Sequence, residues 1–470
     1  MRGENCCDKK MDLWNIVVLC ITLFISCSSI PLPTPVQLRY QQAEIIATIG
    51  FQMDTYAYDD GDPGCNKNNW NNGVKTSQPA TLNPSNLNIT QWAEVLSSLG
   101  AKYAWMNAKH GCGFLMWKTK TKFVDGTPYG YDVSAPGAIN RDIVKEFHNE
   151  MLKVGIKPGY YYSLKDNFYL NVHQKGLVGN NATFLPNMKK VNKEEFENII
   201  LAQLRELWSE YGQLSETWFD GGWPSSISSR LLRLIGELLP NTAAFGGYGV
   251  SKNPVKWVGT ESGLINGPIW SVGSQHQGDP NGNVFVSTGC DTVLMTPHVW
   301  FAVKGMGVRP LSTMIDVYHQ TVGNNCVMEL GFATLRNGLL PKDQVIRAKE
   351  FGDWIKTCYS VPANGTLNKK NIKEFIVSFQ NPVTIDRVMI QEDLKYGQIV
   401  RKYKVEYKTT KNKNQYMQFS NGTSIGNKRI DIFGNKITFV NEVKLTILET
   451  VQDLEPYIKS FSSFHPCTSG

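Results

Sequence analysis

The chain is 470 residues long with 41% hydrophobic and 11% aromatic content, which excludes a disordered chain and gives core for about two or three domains. Its net charge of +7 is mild and no long basic block occurs, which excludes nucleic acid as a partner. The lysines from Lys402 to Lys413 read as a solvated face.

At the N-terminus, Arg2, Lys9 and Lys10 precede an apolar run from Leu13 to Ile25, and Ser26, Cys27, Ser28 and Ser29 follow. Charged, apolar, then small is the pattern of a cleaved secretory leader, here residues 1–30. The run falls short of the roughly 20 apolar residues that cross a bilayer, and no later stretch reaches that length, so no stable membrane insertion is expected. Six cysteines remain after the leader: Cys65, Cys112, Cys290, Cys326, Cys358 and Cys467. They lack the CxxC spacing of a zinc site; in a secreted chain an even count permits disulfides, with pairing left open. Sequons at Asn88, Asn181, Asn364 and Asn421 fit the same route. The expected location is therefore secreted or lysosomal.

From residue 31 to about 360, strand-like and helix-like segments alternate. Short buried strands are predicted at 45–52, 103–108, 157–163, 216–220, 243–246 and 256–259. Helices are predicted at 139–154, where Ile143, Val144, Phe147, Met151 and Leu152 recur near helical spacing, and at 193–211, where Phe196, Ile199, Ile200, Leu204 and Leu207 do so. Repeated β–α units of this number predict a parallel (β/α)8-like TIM barrel, whose chemistry sits at the C-terminal ends of its strands. After Cys358 the pattern changes to alternating strands at 374–379, 384–391, 403–408, 428–433, 436–440 and 443–448. They predict a C-terminal antiparallel β-sandwich over 361–470.

Two motifs carry chemistry. Thr217-Trp218-Phe219-Asp220-Gly221-Gly222-Trp223-Pro224 ends a strand in a carboxylate and then breaks sharply. Trp218 and Trp223 offer flat apolar walls of the kind that sugar faces pack against. Trp257-Val258-Gly259-Thr260-Glu261-Ser262-Gly263 does the same 41 positions on, about one β–α unit later. Asp220 and Glu261 can therefore stand on neighbouring strands and face one pocket. Paired carboxylates of this kind cleave glycosidic bonds, one attacking and one protonating the leaving oxygen.

At these residues the chain resembles the α-L-fucosidases, glycoside hydrolase family 29. Trp218-Phe219-Asp220-Gly221 is similar to the family's nucleophile motif, and Trp257 to Glu261 to the acid/base motif of its plant and bacterial branch. Ala108-Lys109-His110, with Gly113-Phe114 and Trp117, resembles the family's Lys-His-His-Asp-Gly-Phe segment. Gly159 to Ser163 matches its Gly-x-Tyr-Tyr-Ser strand. Tyr318, Val322-Gly323-Asn324 and Gly338-Leu339-Leu340-Pro341 match the segment that closes the barrel. Gly422 to Arg429 resembles the C-terminal, galactose-binding-like domain.

The resemblance implies a retaining exo-glycosidase acting on terminal α-L-fucose of a glycan or glycoconjugate, with no metal or organic cofactor. Asp220 is the expected nucleophile and Glu261 the expected acid/base, with Glu216 next in line. His110, Trp70, Tyr161, Trp218 and Trp300 are the expected sugar contacts; an oligomer is allowed by the sequence. Three departures stand out. Gly50 occupies the place of a histidine on the first strand, Gly111 and Cys112 replace the second histidine of the pair and the aspartate after it, and the acidic residue expected just before Asp291 is missing. Lost hydrogen bonds to a sugar hydroxyl change discrimination strongly. They keep open a carbohydrate-binding pseudoenzyme and a glycosidase for a related sugar. Gln52 and His298 are the candidates to fill the vacated room.

Overall fold

The computed structural model describes residues 30–56, 77–177, 189–412 and 415–467. Residues 1–29 of the expected leader, Trp70, Cys65 and the Asn181 sequon lie outside them.

Eight parallel strands close into a barrel: β1 (Ile45–Gly50), β2 (Tyr103–Lys109), β3 (Lys157–Tyr162), β4 (Glu216–Trp218), β5 (Ala243–Phe245), β6 (Pro254–Trp257), β7 (Ser287–Val293) and β8 (Val327–Ala333). Each pairs with its neighbours in sequence, and β8 pairs with β1 in register Ile45↔Met328. Every residue of β1, β2, β7 and β8 is buried, as parallel strands covered on both faces must be. β7 and β8 escaped the sequence reading because polar residues interrupt them: Asp291 and Thr292 in one, Glu329 in the other.

Helix α1 (Pro35–Ala43) comes before the barrel. Its start is fixed by a Thr34–Gln37 capping box and Pro35. It plugs the N-terminal mouth. Gln37 donates to the carbonyls of Pro254 and Phe285, Gln41 donates to Asn325, and Tyr40 reaches up into the barrel. Helices α2 (Ile89–Leu99), α3 (Ile143–Lys153) and α4 (Lys193–Ser209) follow β1, β2 and β3, capped by Asn88, Asp142 and Asn192. α5 (Ser228–Leu238), α6 (Leu311–Gln320) and α7 (Lys342–Tyr359) follow β4, β7 and β8. Among the described residues β5 and β6 are followed by loops instead, the second running through 258–286. That loop begins with the Glu261 motif.

Inside the barrel lies an aromatic layer of Tyr40, Trp105, Tyr161, Trp218 and Phe245. Trp218 and Phe245 stack at 3.5 Å between centroids. This layer forms a floor beneath the C-terminal mouth.

The remaining chain forms a six-stranded antiparallel sheet: β9 (Thr366–Asn371), β10 (Glu374–Glu392), β11 (Val400–Thr409), β12 (Met417–Gly422), β13 (Arg429–Thr450) and β14 (Ile458–Phe464). The two segments predicted within 374–391 and the three predicted within 428–448 are single long strands, β10 and β13. Register shifts between Ser378 and Arg387 bend them, so both halves face one core containing Phe375, Val377, Val388 and Ile390. The segment 424–429 docks on the closed end of the barrel through Asn427 to Gln41 and Asn325, Lys428 to Glu44, and Arg429 to Asn324. Disulfides join Cys290 to Cys326 and Cys358 to Cys467, and Cys112 is also disulfide-bonded. Among the described residues no helix is long and apolar enough to cross a membrane.

Candidate active site

A cavity of about 510 Å³ opens at the C-terminal mouth, lined by residues that include Asp220, Glu261, His110, Tyr161, Trp218 and Trp300. Asp220 stands just past β4. Gly221 and Gly222 follow at φ 67° and 76°, so the chain reverses at once and leaves the carboxylate exposed. Tyr161 donates to Asp220 Oδ2 at 3.0 Å. The alternation of β3 thus sends Tyr161 to the cavity and Tyr162 outward, where it donates to Gln203 on α4. Burial, and then the charge of Asp220, push the Tyr161 hydroxyl well above its ordinary pKa, so it serves as a donor.

Glu261 sits four residues beyond β6 at φ 58°, a left-handed conformation that a glutamate rarely adopts. Gly259 and Gly263 flank it at φ 103° and 73°. Its Oε2 lies 3.5 Å from both Trp300 Nε1 and His298 Nε2. Arg309 holds the loop by donating to the Ser262 carbonyl and to Thr292.

A third carboxylate, Asp291 on β7, also lines the cavity and accepts from Trp257 Nε1. Burial, aided by the charges of Glu261 and Asp220, raises its pKa to about 7. The motif reading passed over it because its polar partner is far away in sequence.

His110 Nδ1 lies 3.0 Å from Asp54 Oδ2. Burial opposes charge on this imidazole, but Asp54 outweighs it and the pKa rises. Beneath, Lys109 is buried, donates to the carbonyls of Ser163 and Asp166, and is lowered to about 7 by desolvation. It fixes the loop that forms the adjoining wall.

The departures have structural explanations. A Cβ on Gly50 would meet the carbonyl oxygen of Trp300 at 1.9 Å, so backbone from the β7–α6 loop fills the place of the missing histidine. At Gly111 the nearest described atoms are Phe168 Cε2 at 3.4 Å and Asp166 Cβ at 3.6 Å, ordinary contacts. Gln52 does not fill the gap: it is fully buried and donates to Phe114. His298 does face the cavity.

Two further expectations are corrected. Trp223 is not a cavity wall; its indole donates to Ser228 and packs on Phe219. Glu216 is buried at 1% exposure beneath the aromatic floor, out of reach of any substrate. Trp70 lies outside the described residues. Among these no group of three or more His, Cys, Asp or Glu side chains is placed to hold a metal ion.

Comparison with known proteins agrees with this architecture. The alpha-L-fucosidase family profile matches residues 51–359. Alpha-L-fucosidase 1 of Arabidopsis thaliana is 23% identical, over 91% of this chain and 85% of its own. A putative alpha-L-fucosidase from Bacteroides thetaiotaomicron superposes with a TM-score of 0.78 at 26% identity, over 93% of this chain and all of that one (100%). A Ruminococcus gnavus family 29 fucosidase, solved in complex with fucose, shares the fold at a TM-score of 0.74 and 20% identity, over 94% and 96%.

Proposed function

This chain belongs to the alpha-L-fucosidase family, and on that premise we propose that it removes terminal α-L-fucose from glycans by double displacement. The observation that carries the reading is the placement of Asp220 and Glu261 on one cavity, each with its own partners. Asp220 attacks the anomeric carbon and forms a covalent glycosyl-enzyme while Glu261 protonates the departing oxygen. Glu261 then takes a proton from water, which attacks the same carbon and restores Asp220. Two inversions leave the anomeric configuration unchanged. Tyr161 aims the nucleophile; Trp218 and Trp300 wall the sugar, and His110, steadied by Asp54, offers its free ring nitrogen to a hydroxyl.

Exposed sequon residues Asn88, Asn364 and Asn421 and the two mapped disulfides support a secreted or lysosomal location. The test is hydrolysis of a panel of aryl glycosides from about pH 4 to 7, with the anomer of the first product read by NMR. Cleavage of the α-L-fucoside with retention is expected. Binding of fucose with no cleavage indicates a pseudoenzyme, and preference for another glycoside indicates a related sugar.

A further inference from the structure

Beneath the cavity, outside the mechanism, two carboxyl groups meet in the barrel core. Glu329 on β8 is 0% exposed and Glu216 on β4 is 1% exposed. Glu329 accepts from the Tyr40 hydroxyl and, at 2.8 Å, from Trp105 Nε1. Neither oxygen of Glu216 meets a hydrogen-bond donor, and the titratable group it faces is the Glu329 carboxyl. Two carboxyls bond each other only when a proton lies between them. Among the described residues no lysine, arginine or histidine pairs with either, so no cation is available to hold both ionised.

The groups facing the pair are Tyr40 from α1, Tyr103 from β2 and Asp291 from β7; Arg39 on α1 acts on Tyr103 and on neither carboxyl. Asp291 stands opposite Glu329 in the sheet register, and Gly289, two residues earlier on β7, lies beside the Glu329 carboxyl. A Cβ on Gly289 would lie 2.7 Å from the Tyr40 hydroxyl and 3.0 Å from Glu329 Oε1.

Glu329 touches no part of the cavity, but its partner does. Trp105 lines the floor, stacks on Tyr161 at 5.9 Å and packs on Trp218 at 4.8 Å. Tyr161 in turn holds Asp220. We propose that Glu329 is a positioning residue for Asp220, acting through Trp105 and Tyr161 as half of a carboxyl pair that shares one proton with Glu216.

Burial raises both groups, Glu329 to about 8. They therefore bind protons more tightly when folded. The stability they contribute is complete below the ordinary glutamate value, about 4.3, and is lost as pH rises through about 8.

The experiment uses Glu329→Leu, Glu329→Gln and Glu216→Gln in the full chain. Glu329→Leu frees Trp105 and is expected to lower kcat by about ten- to a hundredfold, with KM within about threefold. Glu329→Gln keeps an acceptor for Trp105 and is expected to recover most of that loss. Glu216→Gln presents a permanent hydrogen to Glu329, so the fall of Tm between about pH 5 and 8 should flatten. The kcat arm rests on the reading of Asp220 as nucleophile; the Tm arm does not, and it still decides if Glu329→Leu fails to fold. A Glu216→Gln profile parallel to wild type overturns the shared proton. Wild-type kcat in folded Glu329→Leu, with Asp220→Asn inactive, overturns the positioning role; an active Asp220→Asn overturns the nucleophile reading instead.

Discussion

The carbonyl oxygen of Trp300 stands 1.9 Å from where a β-carbon on Gly50 would be. Backbone cannot retreat as a flexible side chain can. Gly50→His should therefore displace the loop that carries both Trp300 and His298 and lower kcat/KM by about a hundredfold. Gly111→His meets only ordinary contacts and should fold with a Tm near wild type. Melting curves and kinetics on an aryl fucoside check both. Wild-type activity in Gly50→His would show that the loop finds another seat.

Asp220 is exposed at the cavity mouth, so its removal costs chemistry rather than packing. Asp220→Asn is expected to lower turnover by about four orders of magnitude, with Tm nearly unchanged. Tyr161→Phe removes a hydrogen bond to a charged group, about 1.5–3 kcal/mol, while keeping the ring on Trp105. A fall in kcat of about tenfold or more is expected, measured at saturating substrate.

Glu261→Ala should separate the two chemical steps. An activated aryl leaving group needs little acid help, so glycosylation slows less than deglycosylation. Burst kinetics should appear, and added azide should speed turnover and yield a retained glycosyl azide. Full activity without azide would move the acid/base role to another residue.

Asp291 is raised to about 7, so the folded state holds its proton more tightly than the unfolded chain. The stability it contributes is complete below about pH 4 and is lost as pH rises through about 7. Asp291→Asn keeps an acceptor for Trp257 and cannot ionise. Urea unfolding at pH 5 and 8 should show the difference between the two pH values shrink by on the order of 2 kcal/mol. An unchanged difference would show that Asp291 is ionised throughout this range.

The barrel was legible where strands are rich in Tyr, Trp, Val and Ile and end in glycine, which is why Asp220 and Glu261 could be read together. β7 and β8 were not, because Asp291 finds its partner on the neighbouring strand β6 and Glu329 finds its own on β2 and α1, and a single strand's pattern cannot show a partner on another element. The link between Trp257 and Asp291 spans 34 positions and leaves no local mark. Neither does the filling of the room at Gly50, since a backbone carbonyl has no letter in the sequence. Trp223 misled because a tryptophan beside a catalytic-looking turn can equally face the helix that follows.

The Cys358–Cys467 bond joins the end of α7 to the end of the described chain, 109 positions later. It therefore encloses the whole sheet domain in one covalent ring. A protease that cuts anywhere within that ring opens it but releases nothing: the two fragments stay attached until the disulfide is reduced. In a compartment rich in peptidases, a single nick in a surface turn would leave the sheet seated on the closed end of the barrel. Such damage would show only on a reducing gel.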